Sequence, residues 1–287
     1  MKKLIITGDD FGLALPVNEA IEEAHVNGIL TAASLMVGAR AAADAVERAH
    51  RLPSLGVGLH LVLVEGLPIL PPESIPDLIG SDGEFSSHRV RAGINFFFKP
   101  GVRRQLAAEI RSQFQAFRTT NLPLDHVNSH NHMHLHPTVL SIILKVGKEF
   151  GLKTIRVPYE PLLPSWLASR KGLFRKLVSW LFLSPWIFLL HRRLRRAQLR
   201  SNKFVFGMND SGNMQLLHLL RFLHCLPEGV SEIYFHPATR RCPEIERTMP
   251  DYHHEAELEA LTSPVTRQTL SSLGIEKITF SDLWKAK

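Results

Sequence analysis

"LDHVNSHNHMHLHPTVLSIILKVGKEFG", residues 124–151, contains a strand, a histidine-rich turn and a helix in direct succession. Residues 124–130 have the composition of a short buried strand, and residues 137–151 predict a helix with a proline near its start and a glycine just past its end. Five histidines lie in this stretch, at positions 126, 130, 132, 134 and 136. If the chain is extended there, these side chains project from one face, because a strand has a side-chain period of two. The stretch therefore predicts a strand–helix unit whose histidines could hold a metal ion. A short histidine-rich tract can also bind metal only loosely, so the case for a specific site depends on partners elsewhere in the chain.

The rest of the chain repeats this alternation of strand-like and helix-like segments. Strands are predicted at 3–7, 32–37, 55–63, 153–157 and 231–236, and helices at 17–28, 41–51 and 101–117. Such alternation is typical of a parallel sheet covered by helices, and a chain of 287 residues is long enough for a barrel. We therefore predict an α/β fold, with one irregular (β/α) barrel domain over residues 1–287. Residues 66–100, rich in proline and glycine, are predicted to form a long loop over one end of the sheet.

Cysteine usage and the N-terminus indicate the cellular compartment. Cys225 and Cys242 lie in no metal-binding or disulfide-like spacing, which favours a reduced, cytoplasmic protein. The apolar run that follows the first two lysines is too short for the core of a signal peptide. We therefore expect a cytoplasmic protein whose mature chain begins at Met1.

The positive charge of the chain is concentrated in one segment, residues 161–203, which we call the basic insertion. It contains ten lysines and arginines and no acidic residue, so a chain with a net charge of +7 carries −3 outside it. A charge confined in this way indicates a local binding surface and not a nucleic-acid-binding protein. Three of the four tryptophans, Trp166, Trp180 and Trp186, lie in the same segment.

Two structures are compatible with the basic insertion. Its apolar run, residues 177–190, is 14 residues long and contains Pro185, which makes it shorter than the ~20 residues that span a bilayer. Tryptophans flanked by basic residues are typical of a helix that lies in the interface of an anionic membrane. We therefore expect a peripheral position on the inner face of the cytoplasmic membrane. The alternative is a helical lid that packs on the barrel and exposes a solvated basic face.

Candidate catalytic side chains fall at the ends of four predicted strands. Asp9 and Asp10 follow the first strand, His60 lies toward the end of the third, His130 ends the fourth, and His236 ends the strand at 231–236. In a (β/α) barrel, the carboxyl ends of the strands meet at the mouth that holds the active site. Taken singly, the aspartates suit an ordinary turn, and each histidine suits a hydrogen-bonded residue of the core or of a strand end.

Together these side chains suit a metal centre with acid–base groups beside it. Asp10, His60 and His130 make an N,N,O ligand set that leaves positions open for water and substrate, and such a set suits zinc and other first-row divalent ions. Adjacent side chains cannot point the same way, so Asp9 and Asp10 could divide the work, one on the metal and one against the reacting water. A protonated His236 would be the natural proton donor to a leaving amine.

Four further residues have less specific roles. His134 is a candidate for a fourth ligand or a substrate contact, and Arg156 for a substrate contact or an accessory role. His132 and His136 are assigned to the surroundings of the site or to the surface.

Five motifs occur in the order and spacing of one known family. They are TGDDFGL, TAASLMV, LGVGLHL, HVNSHNHMH and FHP, and they extend over nearly the whole chain. Through them the chain resembles the YdjC-like carbohydrate deacetylases, a barrel family within the wider group of glycoside hydrolases and deacetylases. The resemblance implies hydrolysis of an N-acetyl group on an amino sugar. It also implies a divalent metal ion, whether zinc, magnesium, manganese or cobalt.

The same resemblance implies a role for each residue of the predicted site. Asp10, His60 and His130 would hold the metal, Asp9 would act as the base, and His236 would act as the acid. The metal would polarise the amide carbonyl and lower the pKa of its water toward ~7.

The chain departs from the family pattern at two positions. The family usually has Asp-Ser-His-His-His, whereas Asn128 and Asn131 stand here in place of the aspartate and the middle histidine. A carboxylate beside a ligand histidine fixes the tautomer of the ring more firmly than an amide does. The departure therefore concerns the groups that orient the ligands and leaves the proposed ligands in place.

A second set of motifs resembles a narrower subgroup. LPSLGVGLHLVLVEGLPILPP, RAGINFFF, RRQLAAEIRSQF and SEIYFHPATR are similar to the hopanoid-biosynthesis-associated members of the family. This resemblance implies an N-acetylglucosaminyl hopanoid that is deacetylated to the glucosaminyl form. A soluble chito-oligosaccharide is the main alternative substrate.

Two other classes of function stay open. His130 and His132 form an HxH pair, which also occurs in metal-dependent amidohydrolases and deaminases, although there the pair normally ends the first strand. The non-enzymatic alternative is a peripheral membrane protein with a structural metal, although structural zinc sites typically have four protein ligands, often cysteine.

Overall fold

The computed structural model describes residues 1–285, in which strands and helices alternate along most of the chain. The strands are β1 (Lys2–Phe11), β2 (Ala32–Leu35), β3 (Gly56–Leu61), β4 (Val127–Ser129), β5 (Phe204–Phe206), β6 (Gly229–Phe235) and β7 (Glu276–Lys277). The helices are α1 (Leu15–Val26), α2 (Ala42–Arg51), α3 (Arg89–Phe98), α4 (Pro100–Thr119), α5 (Pro137–Glu149), α6 (Leu162–Ser169), α7 (Leu173–Arg196), α8 (Leu216–Cys225), α9 (Pro243–Thr248), α10 (His254–Thr262), α11 (Pro264–Ser272) and α12 (Asp282–Lys285). Short 3-10 segments lie at Pro72–Ser74 and His130–Leu135.

The strands form one curled parallel sheet in the order β4–β3–β2–β1–β6–β5, and β7 pairs with the start of β1. Residues 154–159 lie between the two edge strands. Val127 of β4 donates a main-chain hydrogen bond to the Thr154 carbonyl at 3.1 Å, and Val205 of β5 donates one to the Tyr159 carbonyl at 2.9 Å. This intervening chain links the two edges, and the predicted α/β class with an irregular (β/α) barrel is confirmed.

The central strands are buried on both faces of the sheet. Residues 4–11 of β1 and 57–61 of β3 are all buried, as expected for parallel strands that are covered by helices. Their apolar side chains form the core together with one stripe of α1, Ala20, Ile21 and Ala24. Any polar side chain within these strands is therefore removed from water and needs a partner.

Two predicted elements differ from the structure. The segment 153–157 forms single bridges to Val127 and Arg200 instead of a continuous strand. Residues 66–100 are not one loop, because a 3-10 segment and α3 interrupt them. Except for Pro100, the prolines of this range lie before residue 77, so a helix is free to form over residues 89–98 and to bury Phe96.

The basic insertion is helical, as predicted, and consists of α6 and α7. α7 is 24 residues long and continues through Pro185. It is therefore longer than the apolar run of 14 residues at 177–190. Among the described residues, α7 is the one helix long and apolar enough to cross a membrane by length and composition, and 17% of its most apolar window is buried. Ile187, Leu190 and Leu194 form the face that packs on the barrel.

Polar contacts near both ends of α7 also hold it against the barrel. The Lys176 ammonium is buried and donates to Asp210 at 2.7 Å and to the Ser165 hydroxyl at 2.8 Å. The Arg193 guanidinium donates to the Pro137 carbonyl at 3.1 Å. A buried ammonium requires partners of this kind, so Lys176 does not belong to the solvated basic surface to which its charge alone assigns it.

Candidate metal centre and active site

A bulge in β1 presents the two adjacent aspartates to different partners. The register of β1 against β2 shifts between Gly8 and Phe11, which is the irregularity that a β-bulge produces. Asp10 has a φ of 61°, a left-handed conformation that residues other than glycine adopt at a cost. Such strain is typical of functional positions, and here it directs Asp10 toward His60 and away from the partner of Asp9.

Asp10, His60 and His130 come together at the carboxyl ends of β1, β3 and β4, as predicted. Their ligand atoms all lie within 4.8 Å of one another. The Oδ1 atom of Asp10 is 3.2 Å from His60 Nε2 and 3.3 Å from His130 Nδ1. Both carboxylate oxygens of Asp10 and Nε2 of His60 are buried without a hydrogen-bond partner. Buried polar atoms without partners are costly, and this donor set fits a divalent metal ion.

The electrostatics of the three residues agree with a cation site. Burial by itself raises the pKa of Asp10, but the charge of the nearby His130 ring outweighs burial and holds the pKa well below its usual value. Burial lowers the pKa of His130, but Asp10 and Glu65 outweigh it and raise the pKa. The site thus stabilises the Asp10 carboxylate next to positive charge. A bound divalent ion would supply that charge in place of the protons on the histidine rings.

Asp9 is held by a fully buried arginine. Arg156 donates two parallel hydrogen bonds to Asp9, from Nη1 at 2.6 Å and from Nη2 at 2.9 Å. Its Nε also donates to both oxygens of Glu232 at 3.0 Å, and Thr7 donates its hydroxyl to the same carboxylate at 2.7 Å. Arg156 and Glu232 are 0% exposed and Asp9 is 3% exposed. The bidentate geometry therefore fixes both the position and the charge of Asp9.

This environment decides the ionisation of Asp9 and the role of Arg156. Burial raises the pKa of Asp9, but the charge and hydrogen bonds of Arg156 lower it further, so the pKa lies well below the usual value. Asp9 is accordingly ionised. Arg156 has no exposed surface, so of its two predicted roles the substrate contact is wrong and the accessory role agrees with the geometry.

Asn128 connects the ligand His60 to Asp9. Its Oδ1 lies 2.7 Å from His60 Nδ1, so it accepts a hydrogen bond from a ring protonated at that nitrogen and leaves Nε2 free to face Asp10. Its Nδ2 donates to Asp9 at 3.2 Å and to the Ser34 hydroxyl at 2.8 Å. An ionised aspartate could accept a hydrogen bond from the Ser34 hydroxyl but could not donate one to Asp9. The departure from the family pattern at this position thus gives one amide that orients both a ligand and the neighbouring carboxylate.

The histidine-rich run does not present one face, because its strand ends early. β4 pairs with β3 only as far as Ser129, opposite Leu61, where β3 itself ends. Beyond that point the chain forms a 3-10 segment in which Asn131 and His132 both have a φ of 53°. The expectation that the histidines share one face of an extended strand is therefore wrong.

The other histidines of the run go to separate places. His126 is 0% exposed and stacks on Phe280 with ring centroids 4.3 Å apart. His134 is also 0% exposed, and its Nδ1 lies 2.8 Å from the Ser129 hydroxyl. His136 accepts a hydrogen bond from the Thr138 amide at the start of α5.

The structure corrects the prediction for His134 and agrees with that for its neighbour His132. His134 is fully buried and lies outside the group formed by Asp10, His60 and His130, so it has the position of neither a ligand nor a substrate contact. His132 lies in the wall of the catalytic pocket, with Nε2 3.2 Å from the Tyr234 hydroxyl. Burial, and then the charge of Arg156, lowers the pKa of His132 to about 3, so this ring is neutral.

The backbone of His236 is clamped where β6 ends. Its amide donates to Glu257 at 2.6 Å, and its carbonyl lies 2.6 Å from Nδ1 of His254, which donates to it. Nδ1 of the His236 ring is buried without a partner. Burial lowers the pKa of His236, and Asp10 and Asp9 only partly offset this. The resting ring is therefore neutral, whereas the sequence predicts a protonated imidazole.

A pocket of about 480 Å³ at the mouth of the barrel is lined by Asp9, His60, His130 and His236, and its volume is within the usual range for small-molecule sites. Arg89, Tyr234 and Tyr252 add polar groups to its wall. Glu65 lies 3.9 Å from Nε2 of His130 and accepts a hydrogen bond from Asn131 at 2.7 Å.

Sequence reasoning missed several residues that shape this site. The clearest signal is Glu232, because an acidic residue inside the buried run SEIYF requires a cationic partner. Arg156, a basic residue inside the strand-like run KTIRV, is that partner. Glu257 and Arg89 lie in helices at a distance along the chain, and no local pattern connects them to the metal residues.

Comparisons with known proteins agree with this architecture. The profile described as YdjC-like protein matches residues 3–272. A carbohydrate deacetylase of Brevibacillus brevis is 29% identical over 98% of this chain and 99% of its own length, and one of Vibrio parahaemolyticus is 28% identical over 98% and 96%. A crystal structure from Enterococcus faecalis V583 superposes with a TM-score of 0.76 and 24% identity over 98% of both chains.

Proposed function

This chain belongs to the YdjC-like protein family, and we propose that it removes the N-acetyl group of an amino sugar by hydrolysis at a divalent metal ion held by Asp10, His60 and His130. Relatives that match over almost its whole length are carbohydrate deacetylases, and the chain is an enzyme of that class. The observation that carries the metal is the triad itself, in which both Asp10 oxygens and His60 Nε2 are buried without hydrogen-bond partners. Zinc, magnesium, manganese and cobalt are the candidates.

A metal bound there would polarise the acetyl carbonyl and acidify the attacking water. Asp9 would accept the proton of that water, since Arg156 holds its carboxylate ionised and correctly oriented. Its low pKa makes Asp9 a weak base, so the acidity of the water and the geometry must supply the driving force.

His236 would deliver a proton to the departing amine of the sugar. The clamp on its main chain, from Glu257 and His254, sets the direction in which the ring enters the pocket. Although its resting pKa is lowered, negative charge that develops on the acetyl oxygen would raise it as the transition state forms. The ring would thereby take up the proton that the attacking water gives to Asp9 and pass it to the amine, so the amine receives the proton that the water loses.

The direct test uses purified protein that has been stripped of metal and reloaded with each of the four ions. Mass spectrometry then follows the replacement of the acetyl group by hydrogen on an N-acetylglucosamine substrate. We expect Asp9→Asn to keep its metal and lose turnover. An Asp9→Asn variant with a rate near that of the wild type would remove this residue from the role of base.

We assign a lipid-linked substrate to this pocket, and an N-acetylglucosaminyl hopanoid is the specific candidate. The subgroup motifs support this choice, and so does the composition of α7, where Phe174 is 79%, Val178 50% and Leu181 57% exposed on one stripe. Basic residues flank the stripe, which suits a surface that contacts anionic lipid. A soluble chito-oligosaccharide stays as the alternative substrate.

We propose that α7 attaches to the cytoplasmic surface of the membrane, and its contacts with the barrel argue against a span. A spanning α7 would carry Lys176 into the hydrocarbon or separate it from Asp210, and either is costly. It would also expose the core residues that Ile187 and Leu190 cover.

Vesicle co-sedimentation tests the membrane surface. We expect binding to vesicles of phosphatidylcholine with phosphatidylglycerol and weaker binding to phosphatidylcholine alone. Replacement of Phe174 and Leu181 by serine should release the protein, whereas Leu217→Ser, which changes an equally exposed leucine on α8, should not. Absence of binding by the intact chain would contradict the interfacial position.

A further inference from the structure

A second cavity, which we call the apolar groove, adjoins the catalytic pocket. It has a volume of about 420 Å³ and lies between α3, α7 and the turn that precedes α5. Its walls are formed chiefly by Ile94, Phe97, Phe98, Phe182, Leu183 and Trp186. The groove is therefore built from one segment of residues 66–100 and from the basic insertion, the two parts that lie outside the regular strand–helix alternation.

The groove shares two lining residues with the catalytic pocket. Arg89 and His132 line both cavities, and His132 is two residues from the ligand His130. A molecule whose amino sugar lies in the catalytic pocket can thus extend past these two side chains into the groove. Among the described residues, no other residue lines both cavities.

The lining of the groove selects an apolar occupant. Its polar side chains are Arg89, His132 and His136, and no acidic residue lines it. The His136 ring makes T-shaped contacts with the rings of Phe96 and Phe97, and the ring centroids are 6.0 Å apart in each pair. This aromatic wall continues the apolar surface of the groove.

The apolar walls are open to solvent in the protein alone. Phe182 is 71%, Ile94 55% and Trp186 41% exposed. A concave, solvent-exposed apolar surface of this kind beside a polar site is a common form of ligand-binding groove. Burial of these side chains by a hydrocarbon would contribute binding free energy that a soluble sugar cannot supply.

We propose that the apolar groove binds an uncharged hydrocarbon aglycone attached to the amino sugar whose acetyl group lies at the metal centre. The inference rests on the proposed deacetylase function, and it assigns aglycone recognition to α3 and α7 instead of to the barrel. The groove then acts as a specificity site, which adds binding energy for a substrate with a hydrocarbon group and none for one without it.

The test compares methyl and octyl glycosides of N-acetylglucosamine below the micelle concentration of the octyl compound, so that no membrane or micelle takes part. Each buried methylene is worth about 0.8 kcal/mol, or a factor of about four. With partial burial, we expect the wild type to show a kcat/KM at least about tenfold higher for the octyl glycoside.

Groove variants and a matched control identify the site of this preference. Ile94→Asn with Phe182→Asn should reduce the octyl-to-methyl ratio of kcat/KM at least about fivefold, because the alkyl chain loses two apolar contacts. Phe188→Asn changes a phenylalanine of α7 that is 66% exposed and lies outside the groove lining, and it should retain the ratio. Two results would overturn the proposal and leave the deacetylase function standing. One is an equal kcat/KM for the octyl and methyl glycosides in the wild type, and the other is a fall of the octyl-to-methyl ratio in Phe188→Asn as large as that in the groove variant.

A binding measurement keeps the groove testable apart from catalysis. Trp186 lines the groove, so octyl glycoside should shift the tryptophan fluorescence of the wild type, and Trp186→Phe should remove most of that shift. Methyl glycoside should give no comparable change. A fluorescence shift without turnover of either glycoside would uphold the groove and contradict the proposed function, whereas turnover without a shift would contradict the groove alone.

Discussion

The mouth of the barrel and the surface formed by α3 and α7 use their side chains in opposite ways. At the mouth, charged groups are buried and paired over long sequence distances, as in the contacts of Arg156 with Asp9 and Glu232. On the α3–α7 surface, large apolar groups such as Phe182 and Phe98 are exposed. The buried ion pairs at the mouth hold the side chains of the site in place. The exposed apolar side chains on α3 and α7 leave apolar area available to a ligand. The difference is what the proposed groove requires, with the chemistry at the barrel mouth and substrate selection on the α3–α7 surface.

Removal of a metal ligand should separate the two regions most clearly. We expect His60→Ala to lose the metal in elemental analysis and to lower kcat/KM at least about a thousandfold for methyl and octyl glycosides alike. His50→Ala, which changes an exposed histidine on α2, serves as the control. A loss confined to the octyl glycoside would break the comparison, because it would place substrate selection at the metal centre.

The buried ion network should carry a large part of the stability at the mouth. Arg156→Met leaves Asp9 and Glu232 buried without a counter-charge, which is expected to lower the free energy of unfolding by about 3–5 kcal/mol. Arg111→Met breaks an exposed pair with Glu149 and should change stability little. Urea denaturation measures both variants, and similar stabilities for them would contradict the role assigned to burial.

The amide of Asn128 should have an intermediate effect that is specific to the site. Asn128→Ala removes the group that orients His60 and Asp9, so we expect metal affinity or activity to fall about 10- to 100-fold. Asn128→Asp keeps an acceptor for His60 but loses the donor to Asp9, so it should retain metal affinity better than activity. Titration with metal and steady-state rates separate the two outcomes, and wild-type behaviour of Asn128→Ala would show that the bridge has no orienting role.

The smallest expected effect concerns the pH dependence of stability. Burial raises the pKa of Glu257 from 4.5 to about 7, although two main-chain amides donate to it. The folded protein therefore holds this proton more tightly than the unfolded chain does. The contribution of Glu257 is complete below pH 4.5 and is lost as the pH rises to about 7.

Glu257→Gln should remove that dependence. Between pH 4.5 and 7, we expect the wild type to lose on the order of 1–3 kcal/mol relative to the variant. Glu259→Gln, an exposed position on α10, is the matched control, and denaturation across this pH range gives the slopes. Parallel slopes for wild type and Glu257→Gln would mean that the two amide donors keep the carboxylate ionised.

Local patterns predicted the parts of the fold that local forces decide. α4 and α5 begin at prolines and follow an apolar stripe, so their bounds agree with the sequence to within two residues. The central strands of the sheet are apolar along their length because both faces are covered, and this too is visible in the sequence. The same local reasoning fails in the histidine run, because the length of β3 sets where β4 ends.

The sequence by itself determined the barrel class, the positions of Asp9, Asp10, His60, His130 and His236 at strand ends, and the unusual composition of the basic insertion. These features depend on periodicity, spacing and composition, which act over short distances along the chain. Only the tertiary structure decided that Arg156 holds Asp9 across 147 residues, that Asn128 bridges His60 and Asp9, and that α3 and α7 form a groove. Those contacts join residues that are far apart in sequence, and the folding of the whole chain is what brings them together.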